Sequence, residues 1–280
     1  MKTIIVPVDF SEFSEYALEA AAILARKTGA NILTVHMLEL ATVHAYGSDT
    51  MEDRMSRGIY FIKRAEQEFD LFLDKPFLEG IKVTPIIRQF KVFNELGEVA
   101  KENHADLIVM GSSGISGIFV GSNTEKVVRH SKVPVLVVKK KPTHWKLNKV
   151  IFATDFSDSS IPALQKATKM LQPFNPDFKI LNVLPGDSFR EREDLNAEVE
   201  NFLLKADGNL NRLSQVHYIT NRSAEDGILK YARREDADLI VITTHGRTGL
   251  SRFFQGSISE DLANHGDFPI LTFRREDAND

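Results

Sequence analysis

The stretch 2–21, KTIIVPVDFSEFSEYALEAA, decides the fold, because it returns near the middle of the chain as KVIFATDFSDSSIPALQKA at 149–167. In both places an apolar, β-branched run ends on an aspartate, Asp9 or Asp155, and Phe-Ser then leads into a helical pattern. The helical face Ala17, Leu18, Ala21, Leu24 and Ala25 recurs as Ala163, Leu164, Ala167, Met170 and Leu171. Further along, HADLIVMGSSG (104–114) returns as DADLIVITTHG (236–246), and GSNTEKVVRHSKVPVLVV (121–138) as GSISEDLANHGDFPILTF (256–273). The order is kept throughout, so the 280-residue chain is a tandem duplication.

Apolar runs alternate with helical patterns inside each copy. Strands buried on both faces read as continuous apolar runs, and the helices between them act as right-handed crossovers. The expectation is α/β: two tandem doubly wound domains, each a five-stranded parallel sheet flanked by helices. The domains are expected at 1–140 and 149–280, joined by a basic, proline-containing linker at 141–148. Copy one carries about 14 extra residues around 41–58, expected as a long loop or lid.

Composition narrows the function. A net charge of −4 supplies no basic field for a nucleic-acid backbone, and the absence of cysteine excludes disulfides, thiolate metal sites and a cysteine nucleophile. The opening MKTIIVPVDFSE has too short an apolar run for a signal peptide or a membrane span, so no membrane partner and a cytoplasmic location are expected.

The chemistry is expected at the carboxyl ends of the strands, where open parallel sheets bind ligands. Gly111 and Gly114 follow the fourth strand there, and glycine lets a sugar or phosphate approach the backbone. Gly121 and Ser122 open the next helix, with Ser122 and Glu125 spaced as a capping box; Ser257 and Glu260 repeat it. Unpaired amides at such a helix start form an anion site. The same features also serve a plain turn and a plain cap, so spacing leaves both readings open. Asp9 and Asp155 likewise either cap the following helix or accept hydrogen bonds from an adenine or ribose. His130 and His265, near the end of the last helix of each copy, are expected to bond terminal carbonyls. No group has metal-ligand spacing, and no P-loop is present, so no metal site and no catalytic residue are expected.

Both copies resemble the universal stress protein family, whose nucleotide-binding members carry Gly-x2-Gly-x9-Gly-Ser/Thr after the fourth strand and an aspartate at the end of the first. The resemblance implies a Rossmann-like, adenine nucleotide alpha hydrolase-like fold whose domains pair through their last strands. It implies nucleotide contacts at Val8, Asp9, Met37, Gly111, Gly114, Gly121 and Ser122 in copy one, and at Asp155, Val183, Gly246, Gly256 and Ser257 in copy two. Copy one departs in its middle spacing, six residues instead of nine. Copy two keeps the nine in RTGLSRFFQ but has Thr243 where the first glycine belongs, a β-branched residue expected to crowd the ribose or to demand a disallowed backbone angle. The resulting expectation is an ATP-binding stress or regulatory protein, with or without Mg2+, whose domains pair within the chain and whose further assembly would be a homodimer. It is not expected to be an enzyme, although weak ATP hydrolysis stays open. The alternative is a nucleotide-free interaction scaffold with degenerate loops.

Overall fold

The computed structural model describes residues 1–39, 51–90, 96–112, 122–143, 145–186, 192–244 and 268–274. The first half runs β1 (Thr3–Val8), α1 (Glu12–Thr28), β2 (Asn31–Glu39), α2 (Met51–Leu73), β3 (Val83–Phe90), α3 (Leu96–Glu102), β4 (Leu107–Gly111), α4 (Ser122–His130) and β5 (Val135–Val138). The second runs β6 (Lys149–Ala153), α5 (Ile161–Leu171), β7 (Asp177–Pro185), α6 (Arg192–Asp207), β8 (Val216–Asn221), α7 (Ala224–Glu235), β9 (Leu239–Thr244) and β10 (Ile270–Arg274).

These strands form one ten-stranded sheet in the order β3-β2-β1-β4-β5-β10-β9-β6-β7-β8. Pairing is parallel inside each half, and the halves join where β5 meets β10 antiparallel, Leu136 opposite Leu271. The last strands pair within the chain, as the family resemblance implies. Because the joint is antiparallel, the carboxyl-end edges of the two halves face opposite ways.

Helices cover both sheet faces. On one, α1, α2, α5 and α6 share a core with Ile4, Val6, Phe152 and Ile180; on the other, α3, α4 and α7 pack over Ile5, Val35, Ile151 and Leu181. Adjacent residues of one strand thus enter different cores, which is why β4 and β5 read as unbroken apolar runs. The segment between the halves is packed into the seam: Leu147 is fully buried at φ 54°, and Trp145 Nε1 donates to the Asp238 carbonyl at 2.8 Å.

One repeated device holds each first strand at its start. The Asp106 carboxylate accepts from the backbone N–H groups of Lys2 and Thr3, and the equivalent Asp238 accepts from Asn148 and Lys149 at 2.7 and 2.9 Å. These aspartates of the ADLIV repeats were not among the sequence candidates.

The extra segment of copy one is not simply a loop. Residues 51–58 form the first turns of the 23-residue helix α2, while 40–50 lie outside the described residues. The helix is held from its far end, where Ala65, Phe69 and Phe72 are buried. That anchorage carries its charged amino-terminal half across Gly58, a residue that costs about 1 kcal/mol in a helix.

Candidate functional site

Each half turns from its first strand into its first crossover helix on the same three residues, Asp-Phe-Ser. Asp9 Oδ1 accepts from the Ser11 amide at 3.0 Å and the Ser11 hydroxyl at 2.6 Å. Asp155 Oδ1 accepts from the Ser157 amide and hydroxyl at 3.1 and 2.6 Å, and from the Ser160 hydroxyl at 3.1 Å. Burial pushes the Asp9 carboxyl up, but the Ser11 hydroxyl and amide, with the Ser14 hydroxyl, outweigh it and hold the group below its ordinary value. Its turn therefore contributes stability above the ordinary carboxylate value and loses it as pH falls through the lower folded value.

Between aspartate and serine the backbone is left-handed, at φ 63° for Phe10 and 57° for Phe156. A bulky residue takes that conformation only when its surroundings impose it. The rings supply the reason: Phe10 packs 5.1 Å from Phe69 and 4.6 Å from His36, and Phe156 packs 5.4 Å from Phe202 and 6.0 Å from Tyr218. Each aromatic plug fastens the turn to the core while the neighbouring carboxylate stays at the sheet edge. Neither phenylalanine was a sequence candidate, although both stand at matched positions in the repeat.

The second strands complete the edge. His36 Nδ1 lies 2.8 Å from the Val8 carbonyl, and at the equivalent place Asn182 Nδ2 donates to the Thr154 carbonyl at 2.8 Å. A carbonyl only accepts, so Nδ1 of His36 carries the proton. Different side chains thus do the same work in the two copies, satisfying the carbonyl at or just past the end of the first strand. A polar residue inside an apolar strand, "VHM" or "LNV", is the signal that could have singled them out.

The fourth strands end differently. A Cβ on Gly111 would sit 2.0 Å from the Phe13 carbonyl oxygen and 2.3 Å from its carbon, so the first turn of α1 fills the space above this glycine. Thr243, its counterpart, is an ordinary residue of β9 in register with Phe273, and it requires no disallowed angle. The helix start opposite it has changed as well. Where α1 begins at Glu12, capped by Ser11, the second copy makes a 3-10 turn over Asp158–Ser160, and α5 begins only at Ile161 with Pro162 in its first turn.

In the second half these changes accompany a cavity of about 100 Å³ at the carboxyl ends of β6, β7 and β9. It lies where the strand order reverses, with β6 between β9 and β7, which is where doubly wound sheets bind ligands. Asp155, Val183 and Thr243 line it together, with Asn182, Ala224 and Ile228 among the other walls. Gly227 lets α7 come close, since a Cβ there would meet Val183 at 2.6 Å. Thr243 is therefore a wall of the cavity and not its plug.

In the first half, Val8 is buried at the end of β1, Asp9 follows it, and Met37 packs on the α3/α4 face of β2. Ser122 is the first residue of α4. Gly114, Gly121, Gly246, Gly256 and Ser257 lie outside the described residues, as does His265. His130 Nδ1 lies 2.8 Å from the Lys126 carbonyl, the expected structural role. Among the described residues no group of three His, Cys, Asp or Glu side chains could hold a metal, and no helix is long and apolar enough to cross a membrane.

One carboxylate beside the cavity was missed by sequence reasoning. Glu225 follows Ala224 and is 2% exposed, and its Oε2 accepts from the Ser223 hydroxyl. Burial pushes it above its ordinary value, an effect only partly offset by Ser223. A raised carboxyl contributes most to stability below the ordinary value of 4.5, and the contribution fades as pH rises through the higher folded value. Glu225→Gln is therefore expected to melt above the parent at about pH 8, with the gap closing by about pH 4. Parallel melting curves at both pH values would show that burial does not oppose this charge.

A sequence model of the universal stress protein family matches the chain twice, over residues 1–139 and 146–274. Universal stress protein G of Escherichia coli O157:H7 is 30% identical over 150 residues, covering 49% of this chain and 99% of that protein. Universal stress protein Slr1230 of Synechocystis is 24% identical over 299 residues, covering 98% of this chain and 100% of that one. Among solved structures, a universal stress protein from Archaeoglobus fulgidus superposes with a TM-score of 0.70 at 22% identity, covering 98% of both chains.

Proposed function

The chain belongs to the universal stress protein family, and on that premise we propose that it binds an adenine nucleotide, ATP with or without Mg2+, chiefly in its second half. Its role is regulatory: occupancy, not turnover, changes what a partner meets. The observation that carries this reading is the cavity at the switch point of the second half, where Asp155, Val183 and Thr243 converge. Leu181, Val183, Ile228 and Ile242 offer apolar walls for a flat base, and Thr154, Asp155, Asn182 and Thr243 add the few polar groups that orient a ligand. The Asp155 carboxylate, anchored by Ser157 and Ser160, stands at the rim as an acceptor for ribose hydroxyls. The family resemblance adds phosphate contacts from Gly256 and Ser257, which follow RTGLSRFFQ in the sequence after β9.

The nucleotide-free scaffold has one observation in its favour, and it concerns the first half. The open side of Gly111 is taken by the α1 backbone, so this glycine has a packing duty whether or not a ligand is near. Calorimetric titration of the nucleotide-stripped protein with Mg-ATP separates the readings. One site per chain is expected, abolished by a bulky substitution at Gly256. No heat of binding up to millimolar ATP would leave the scaffold as the function.

A further inference from the structure

Both halves place a cation at the same point of the last strand. Lys139 follows β5 directly and Arg274 closes β10, and the strand registers make them equivalent. The Ser112 amide donates to the Val138 carbonyl at 3.0 Å, and Thr244 is the register partner of Arg274, so each cation stands beside the carboxyl end of the fourth strand of its half.

In the second half this cation and the cavity share a face. Side chains alternate along a strand, so Arg274 lies on the side of Ile270 and Thr272. Ile270 packs in the cluster that contains Ile228 and Ile242, two walls of the cavity. Only β9 intervenes between β10 and β6. At about 4.8 Å per strand, Arg274 starts roughly 10 Å from the line of β6, the strand that leads into Asp155, a distance that a phosphate chain on a bound nucleoside can span. Arg274 is half-buried, and among the described residues no carboxylate pairs with it. The planar donor fork of a partly buried guanidinium fits phosphate oxygens two at a time.

We infer that Arg274 is a phosphate-binding residue of the second-half site, selecting nucleoside di- and triphosphates over the monophosphate and the free nucleoside. The inference rests on the adenine-nucleotide reading above.

The test is calorimetric titration of the full-length protein with ATP, ADP, AMP and adenosine, in the parent and in Arg274→Gln and Arg274→Lys. In the parent, ATP and ADP are expected to bind more tightly than AMP and adenosine. Arg274→Gln should weaken ATP and ADP about tenfold while leaving adenosine within about twofold, and it should flatten the salt dependence of ATP binding. Arg274→Lys, which keeps the charge but loses the fork, should fall between. Unchanged ATP affinity in Arg274→Gln would overturn the inference and leave the nucleotide reading intact. Equal losses for ATP and adenosine would overturn it too, since they would reveal a structural role. A parent that binds none of the four ligands would overturn the nucleotide reading and this inference with it.

Discussion

Gly111→Ala is expected to destabilise the protein by about 3 kcal/mol, near the upper end of the usual cost of overpacking and worth roughly 5 °C in Tm for a chain of this size. The cause is local. An added methyl would lie 2.0 Å from the Phe13 carbonyl oxygen, and the obstacle is backbone at the capped start of α1, which no rotamer change can clear. Either α1 lifts off β4 or the end of β4 shifts, and both Leu18 and Val109 lie in the core between them. Thermal melts of the two proteins decide the matter. A variant that melts within about 1 °C of the parent would show that the helix start has slack, and Gly111 would then be free for the ligand duty its motif implies.

The second large effect is expected at Phe156, where the order of two variants matters more than either magnitude. Phe156→Ala should cost about 3–5 kcal/mol, because the ring is 4% exposed and packs on Phe202 and Tyr218. Phe156→Gly removes the same ring, yet glycine adopts φ 57° without steric cost. The glycine variant should therefore be more stable than the alanine variant by about 1 kcal/mol, the reverse of the ordinary ranking. Urea melts of both variants provide the comparison. If alanine proves the more stable of the two, the left-handed turn relaxes when the ring is gone and is not built into the strand–helix junction.

These effects mark where sequence reading reaches its limit. The duplication, the alternation of strands and crossovers and the buried face of α1 were all legible, because they depend on short periods and on matched order along the chain. Gly111 was legible only as a glycine. Its motif says that a side chain is unwelcome, but an approaching ligand and an approaching carbonyl forbid a Cβ equally, and only the packing of α1 on β4 distinguishes them. Thr243 carried the converse ambiguity, since the 3-10 start opposite it is announced by little more than Pro162. His36 and Asn182 each find their acceptor 28 residues away, a relation that strand register creates and local pattern does not hold. Helix α2 was partly hidden for a similar reason, as its anchorage through Phe69 to Phe10 spans the whole first crossover.

The antiparallel joint of β5 and β10 also bears on how the protein responds to dilution. Two separate single-domain chains meeting at such a joint would part as their concentration fell, and with them would go whatever the joint stabilises. Here the partner strand arrives on the same polypeptide, tethered through Trp145 and Leu147, and its local concentration is set by the tether alone. The paired state therefore persists at any expression level, and the two halves are released from the need to be identical.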